Sequence, residues 1–164
     1  MKNDKTNVMR LLDEWGIEYE HFAYNPELVN AVEVAKACKQ EPEAVFKTLV
    51  TVGKTGEHYV FMIPSNGELD LKKAAKIAGE KAIEMIPQKQ LLPLTGYIHG
   101  GCSPIGMKKQ FKTFTDETVI LFDKICFLSS LVKSFGLTLK YFCHTPSTSK
   151  SSHSSEMYIS ITLL

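Results

Sequence analysis

The chain has 164 residues, 44% of them hydrophobic, which is enough to bury one core and too few for several large domains. Its 19 basic and 18 acidic residues give a formal net charge of +1, which excludes the strongly basic surface of a general nucleic-acid coat. No stretch approaches about 20 consecutive apolar residues, and the N-terminus lacks the apolar run of a secretory signal, so we expect a cytoplasmic protein without a membrane contact.

The first half of the chain is predicted to contain two helices and three strands. Apolar residues at helical spacing predict the first helix, and an alternation of apolar and polar residues predicts the strand that follows it. Asn30 and Glu33 form the pattern of a capping box, which indicates where the second helix begins. The predicted elements are a helix at 8–16, a strand at 17–24, a helix from 30, and a hairpin with strands at 49–52 and 59–63.

The second half is predicted to contain one more helix and further short strands. Asp70 is a residue type that caps helices and Gly79 is one that ends them, so a helix is expected at 71–78. Apolar runs predict strands at 82–86, 97–99, 111–114 and 119–122. Because helices and strands mix without a regular alternation, we predict a single α/β domain with a mixed, curved β-sheet.

The composition of the chain changes after Cys126. Six serines crowd the stretch 147–155, which is typical of a loop or a disordered segment, while 137–142 and 158–163 can each form a strand. We therefore divide the chain into a main domain at 1–126 and a divergent, partly disordered tail at 127–164.

Cysteines and histidines give no pattern of a metal or redox site. The four cysteines are widely spaced without a C-x-x-C pair, and the five histidines form neither H-x-x-x-H nor H-E-x-x-H. We therefore expect no metal and no cofactor.

Two short segments contain the candidate functional residues. Lys47 stands between Phe46 and Thr48 at the start of an apolar strand, where its side chain can point into a cleft or serve as a gatekeeper against aggregation. The segment 100–106, Gly-Gly-Cys-Ser-Pro-Ile-Gly, allows a ligand to approach bare backbone, although such sequences also form plain tight turns. A weaker alternative pairs Ser103 with His99 as nucleophile and base.

These segments belong to a series of five motifs. The motifs are Val45-Phe46-Lys47-Thr48-Leu49, Leu69-Asp70-Leu71-Lys72-Lys73-Ala74-Ala75-Lys76, Glu84-Met85, Thr95-Gly96-Tyr97 and Gly100-Gly101-Cys102-Ser103-Pro104-Ile105-Gly106-Met107-Lys108-Lys109. Their order and spacing resemble the YbaK/EbsC family of aminoacyl-tRNA deacylases, closest to the branch that acts on Cys-tRNA(Pro). The resemblance covers roughly residues 7–126 and implies a partly closed sheet surrounded by helices.

The resemblance weakens after Cys126. Family members continue there with a Val-Ser-Gly-Gly-x-Arg-Gly turn, whereas this chain has Phe127-Leu128-Ser129-Ser130 and lacks the glycine pair and the arginine. We interpret the tail as the product of a shifted reading frame or as a divergent replacement. If the turn is lost, one wall of the pocket is altered.

Eight residues are candidates for the site, and the resemblance itself assigns three of them: Lys47, Gly100 and the tyrosine after the first strand, Tyr24. The lysine of the Phe-Lys-Thr motif corresponds to Lys47 and the first glycine of the pair to Gly100, and both are predicted to be catalytic. A lysine and bare amides aimed at an ester carbonyl suit this chemistry, because they stabilise the negative charge that develops on its oxygen. The residues predicted to bind substrate are Tyr24, Thr48, Gly101, Ser103, Lys108 and Lys109.

The implied activity is the removal of misattached cysteine from tRNA(Pro), by hydrolysis or by attack of the substrate's own thiol. The implied partners are the acceptor end of a mischarged tRNA and prolyl-tRNA synthetase. Sister branches remove alanine or other small residues, and the sequence separates them poorly. The alternatives are a noncatalytic module that binds a tRNA end or the synthetase after loss of the pocket wall, and a truncated, poorly folded product.

Overall fold

A computed structural model describes residues 5–25, 27–28, 30–129, 135–140 and 162–163 of the chain. These residues form four α-helices, eight strands and two short 3₁₀ helices at Pro42–Ala44 and Glu117–Leu121. The helices are α1 (Asn7–Glu14), α2 (Ala31–Ala37), α3 (Leu71–Ala78) and α4 (Gln88–Thr95). The strands are β1 (Tyr19–Ala23), β2 (Val45–Gly53), β3 (His58–Pro64), β4 (Ile83–Met85), β5 (Lys112–Thr115), β6 (Lys124–Ser129), β7 (Phe135–Lys140) and β8 (Thr162–Leu163).

The strands form one mixed sheet in the order β1-β7-β6-β2-β3-β5-β8, and β4 pairs with β2 off this path. The pairs β2–β3, β2–β4, β1–β7 and β6–β7 are antiparallel. The pairs β2–β6, β3–β5 and β5–β8 are parallel. No pairing in the described part of the chain joins β1 to β8, so the sheet stays open. The predicted class, an α/β domain with a mixed sheet, is confirmed.

Helices cover both faces of the sheet because side chains of alternate strand residues point to opposite faces. On one face, α1 and α4 pack against the β2 side chains of Phe46 and Val50. On the other face, α2 packs against Val45, and α3 packs against Tyr59 and Phe61 of β3. The central strand β2 is therefore held rigidly between two hydrophobic layers.

Two predicted helix caps are present as expected. The Asn30 side-chain oxygen accepts hydrogen bonds from the amides of Val32 and Glu33, at 2.9 and 3.3 Å. The Asp70 carboxylate accepts hydrogen bonds from the amides of Lys72 and Lys73, at 2.9 and 3.1 Å, and α3 ends at Gly79 with φ +76°. Side-chain acceptors of this kind satisfy amides that have no partner within the helix, which fixes where each helix begins.

Two predicted strands are wrong, and one helix was not predicted. Residues 97–99 follow α4 as a buried tyrosine and a turn, and 119–122 lies largely in the 3₁₀ helix, which Asp116 caps through the Thr118 amide at 3.0 Å. In that helix Val119 is buried while Leu121 is exposed, so its apolar run is not a buried strand. The helix α4 contains Pro93, a residue that normally argues against a helix interior.

The predicted tail is described only in part. The strand expected at 137–142 corresponds to β7, and of the strand expected at 158–163 only Thr162–Leu163 lies within the described residues. The serine-rich stretch 147–155 lies outside them. Strand β6 runs across residue 126, where the main domain was predicted to end, and the division into two parts stays a prediction.

Candidate functional site

Strand β2 is fully paired on one side and interrupted on the other. Its residues 46–52 pair with β3. On the opposite side, β6 pairs with residues 45–46 and β4 pairs with residues 51–53. Within the described residues, 47–50 have no strand partner on that side. Because the Val50 carbonyl oxygen accepts the Ile86 amide, only 47–49 are left open, and we call this segment the open edge of β2.

Thr48 directs its main-chain groups toward this open edge. The carbonyl oxygen of Val45 accepts the Ser65 amide on the β3 side, at 2.7 Å, whereas that of Val50 accepts the Ile86 amide on the β4 side, at 3.2 Å. In an antiparallel pair, main-chain groups of successive residues point alternately to the two sides, so those of Thr48 point to the same side as those of Val50. The buried Thr48 hydroxyl also lacks a hydrogen-bond partner among the described residues.

A cavity of about 620 Å³ lies at the open edge. Its volume is within the range of about 300–1,000 Å³ that is usual for small-molecule sites. The lining residues that carry reactive or polar groups or expose main chain include Lys47, Thr48, Glu68, His99, Gly100 and Cys102. The structure thus brings Lys47, Thr48 and Gly100, from the two candidate sequence segments, to the wall of one cavity.

Lys47 is anchored at the cavity wall. Its side chain is half-buried, and its Nζ atom donates a hydrogen bond to the carbonyl oxygen of Ser65 at 3.1 Å. Burial lowers the pKa of Lys47 below the ordinary value of 10.5, and the nearby carboxylate of Glu68 partly opposes that change. Lys47 is therefore a positioned cation, held by a main-chain acceptor, beside a space that can contain a ligand.

One residue of the glycine pair lines the cavity. Gly100 has φ +83°, a conformation that favours glycine, and it lines the cavity. The Gly101 amide is occupied, because it donates to the Ile98 carbonyl oxygen at 3.2 Å. The Gly100 amide makes no hydrogen bond within the part of the chain that the structure describes. Of the two glycines, Gly100 is the one placed to receive a ligand oxygen.

Hydrogen bonds from buried groups hold the loop that follows Gly100. The buried Tyr97 hydroxyl donates to the carbonyl oxygen of Ile105 at 2.5 Å, and burial raises the pKa of Tyr97 to about 12. The amide of Ile105 donates to the Ser103 hydroxyl oxygen at 3.2 Å. Ser103 is fully buried and does not line the cavity, and no hydrogen bond joins it to the exposed His99 among the described residues.

Four other predicted substrate-binding residues do not line the cavity. Tyr24 packs against the cluster around α2, and Gly101 is buried in the turn. Lys108 and Lys109 are exposed beyond the loop, where the aliphatic part of Lys108 lies close to Gly96. The roles of these residues, and that of Ser103, stay predictions.

Glu68 and Cys102 line the cavity, although neither was predicted to be functional. Glu68 lies just before the Asp70 cap. Acidic residues are common near the start of a helix, so this position gave no functional signal. The buried Cys102 thiol lies in the wall, and burial raises its pKa to about 12, which keeps it protonated. Glu68 does not stand out by spacing, because the cavity joins loops that are distant in sequence, whereas Cys102 lies inside the candidate segment 100–106.

Replacement of Thr48 by valine is expected to separate stability from activity. Valine keeps the branched shape that fits a strand and removes a buried hydroxyl that has no partner among the described residues, so the free energy of unfolding should rise by about 1 kcal/mol. If the hydroxyl bonds a ligand, the activity implied by the resemblance should fall about tenfold. Denaturant unfolding and assays of the implied deacylation measure the two effects, and an unchanged rate would contradict a role for the hydroxyl in binding.

The described residues contain no cluster of three or more His, Cys, Asp or Glu side chains placed to hold a metal ion. Among the helices that the structure describes, none has the length and apolar character needed to cross a membrane.

Comparisons with known proteins agree on one family. Residues 25–134 match the model of a family described as the aminoacyl-tRNA editing domain. Over 115 residues, the chain is 49% identical to a protein of Enterococcus faecalis (strain ATCC 700802 / V583), with 69% of this chain and 70% of that protein covered. That relative is named "Putative Cys-tRNA(Pro)/Cys-tRNA(Cys) deacylase EbsC".

Solved structures show a similar fold. A hypothetical protein superimposes with a TM-score of 0.73 at 18% identity, covering 81% of this chain and 87% of that one. A "putative trans-editing enzyme for prolyl tRNA synthetase" superimposes with a TM-score of 0.69 at 22% identity, covering 81% of this chain and 83% of that one. At such identities the likeness concerns the fold alone.

Proposed function

The chain belongs to the aminoacyl-tRNA editing domain family, and from this premise we propose that it is a deacylase that removes cysteine wrongly attached to tRNA(Pro). The observation that carries the proposal is the placement of Lys47 and Gly100 on the wall of one cavity. The 49% identical relative, whose name includes Cys-tRNA(Pro) deacylase, supports the choice of substrate.

The proposed chemistry uses Lys47 and Gly100 to stabilise negative charge. The substrate is an ester between cysteine and the ribose of the terminal adenosine, and its cleavage places negative charge on the former carbonyl oxygen. The Lys47 ammonium and the Gly100 amide can both donate hydrogen bonds to that oxygen. A single donor of this kind is typically worth about 3 kcal/mol in the transition state.

The attacking group is proposed to be the thiol of the substrate itself. Cys102 is a poor nucleophile, because burial raises its pKa to about 12 and the reactive thiolate is scarce. In the proposed step, the substrate sulfur bonds to the carbonyl carbon, the ester bond to the ribose oxygen breaks, and the thiol proton passes to that oxygen. The products are free tRNA and a cyclic thiolactone. Attack by water instead would give free cysteine by hydrolysis.

Intramolecular attack explains both rate and selectivity. Well-oriented intramolecular reactions reach effective molarities of about 10⁵ M or more, so the enzyme needs only to fold the substrate and stabilise charge. A hydrophobic pocket distinguishes side chains that differ by one methylene by only about 1–3 kcal/mol. A required thiol instead excludes the amino acids that lack one.

The remaining predicted residues are proposed to surround this centre. The Thr48 hydroxyl faces the bound ester, while Tyr24, Gly101 and Ser103 shape the walls of the substrate site. Lys108 and Lys109 contact phosphates of the acceptor end, as exposed cations can. The reaction is proposed to take place in the cytoplasm beside prolyl-tRNA synthetase, in the domain at 1–126.

The test compares tRNA(Pro) charged with cysteine, alanine or proline as substrates of the full chain. We expect cysteine to be released fastest, with the thiolactone detected by mass spectrometry. Release of free cysteine without thiolactone would favour attack by water. Binding of uncharged tRNA or of the synthetase, with no ester cleaved, would overturn the enzymatic proposal and favour the noncatalytic module.

A further inference from the structure

The cavity contains two side chains of opposite formal charge. Among the described residues that line it, Glu68 is the only carboxylate and Lys47 the only lysine. The two charges interact electrostatically, since the Glu68 carboxylate partly opposes the lowering of the Lys47 pKa by burial. No ion pair joins them within the described residues, and Lys47 donates to the Ser65 carbonyl oxygen instead. A ligand can therefore approach both charges without first separating an ion pair.

The main chain around Glu68 is fixed on both sides. Before it, the Gly67 amide donates to the Pro64 carbonyl oxygen at 2.9 Å, and the Ser65 hydroxyl donates to the Pro42 carbonyl oxygen at 2.6 Å. After it, Asp70 caps α3. The Glu68 side chain is exposed at the cavity, but its loop is anchored at both ends. The main chain at Glu68 is consequently held in a defined position at the wall of the cavity.

The chemistry of an aminoacyl ester supplies a partner for this carboxylate. Such an ester carries an α-amino group, cationic when protonated, on the carbon next to its carbonyl. If Lys47 faces the carbonyl oxygen, two cations come close together in a partly desolvated space and repel each other. A carboxylate on the same wall offsets that repulsion and accepts charge-assisted hydrogen bonds.

We infer that Glu68 binds the α-ammonium group of the aminoacyl ester while Lys47 and Gly100 face its carbonyl oxygen. This inference rests on the proposed function. It makes Glu68 a residue that favours esters with a free amine over esters whose amine is acylated. Bound ammonium also withdraws electrons from the neighbouring carbonyl, so Glu68 favours the form of the substrate that is attacked more readily.

The kinetic test compares Cys-tRNA(Pro) with its N-acetyl derivative in the wild type, in Glu68→Gln and in Glu14→Gln. Glu14 is an exposed residue at the end of α1 that does not line the cavity, so its substitution controls for the loss of one negative charge. We expect Glu68→Gln to lower kcat/KM for the free-amine substrate about tenfold, and to leave the N-acetyl substrate and the Glu14→Gln variant unaffected.

A binding test separates this inference from the proposed function. The probe is 3′-amino-3′-deoxyadenosine carrying cysteine through a stable 3′-amide, with the α-amine of the cysteine free or acetylated. We expect the wild type to bind the free-amine probe about tenfold more tightly, and Glu68→Gln to lose that preference. An unchanged preference in Glu68→Gln, or an equal kinetic loss on both substrates, would overturn the role of Glu68. A wild type that cleaves no ester would instead overturn the proposed function.

Discussion

Replacement of Lys47 by methionine is expected to slow the release of cysteine from tRNA(Pro) by about 10²- to 10³-fold, because one charged donor to the reacting oxygen is lost. Methionine has a similar length and no charge to desolvate, so the variant should unfold at the same or a higher denaturant concentration than the wild type. Single-turnover deacylation and denaturant unfolding measure the two quantities. A matched control is Lys112→Met, which removes an exposed lysine of β5 outside the cavity.

The same lysine predicts a pH dependence with a definite sign. In the proposed mechanism the protonated form of Lys47 is the active one, and burial lowers its pKa below 10.5. As the pH rises through this lowered pKa, the ammonium is lost and the enzymatic rate should fall earlier than for an ordinary lysine. The rate has to be corrected for spontaneous ester hydrolysis. A near-normal rate for Lys47→Met, or the same pH profile in that variant, would contradict the catalytic role.

Replacement of Phe46 by alanine is expected to lower the free energy of unfolding by about 3–5 kcal/mol. The Phe46 side chain is 0% exposed and belongs to the core between β2, α1 and α4. Its removal leaves a cavity next to the strand that positions Lys47 and Thr48. Chemical denaturation followed by circular dichroism measures the change, and deacylation should be lost at temperatures where the variant unfolds.

The variant Ile120→Ala is a control for whether burial of the replaced side chain causes the loss of stability in Phe46→Ala. Ile120 is 58% exposed in the 3₁₀ helix, so Ile120→Ala should change the free energy of unfolding by less than about 0.5 kcal/mol. A comparable loss in both variants would contradict the assignment of Phe46 to the core. The alternation of side chains along β2 also explains the Phe-Lys-Thr motif. The aromatic side chain packs into the core on one face of the strand, and the lysine next to it points to the other face.

Those parts of the fold that depend on local signals were predictable from sequence. Asn30 and Asp70 are short polar residues that cap helices, and both caps occur where they were predicted. Resemblance of the five motifs to the YbaK/EbsC family is confirmed by the match of residues 25–134 to the editing-domain model. Local patterns failed at 119–122, where an Asp116 cap made a 3₁₀ helix from an apolar run that resembles a strand.

The cavity itself was predictable only in part. Lys47 and Gly100 stood out because a lysine in an apolar strand and paired glycines in a loop are unusual, and both line the cavity. Glu68 gave no such signal, since an acid before a helix cap is common. The open edge of β2 could not be predicted from the sequence either. Its position depends on where the pairing of β6 with β2 ends and where the pairing of β4 with β2 begins.

The interrupted pairing of β2 also bears on solubility. Unpaired strand edges usually invite a strand from another molecule, which is a route to aggregation. The open edge spans only three residues, about 10 Å, between positions that β6 and β4 already occupy. A foreign strand would have to displace one of these neighbours, whereas a single aminoacyl group needs no such length. Main-chain donors at the open edge can thus stay accessible to an aminoacyl group, although the edge is too short to pair with a strand of another molecule.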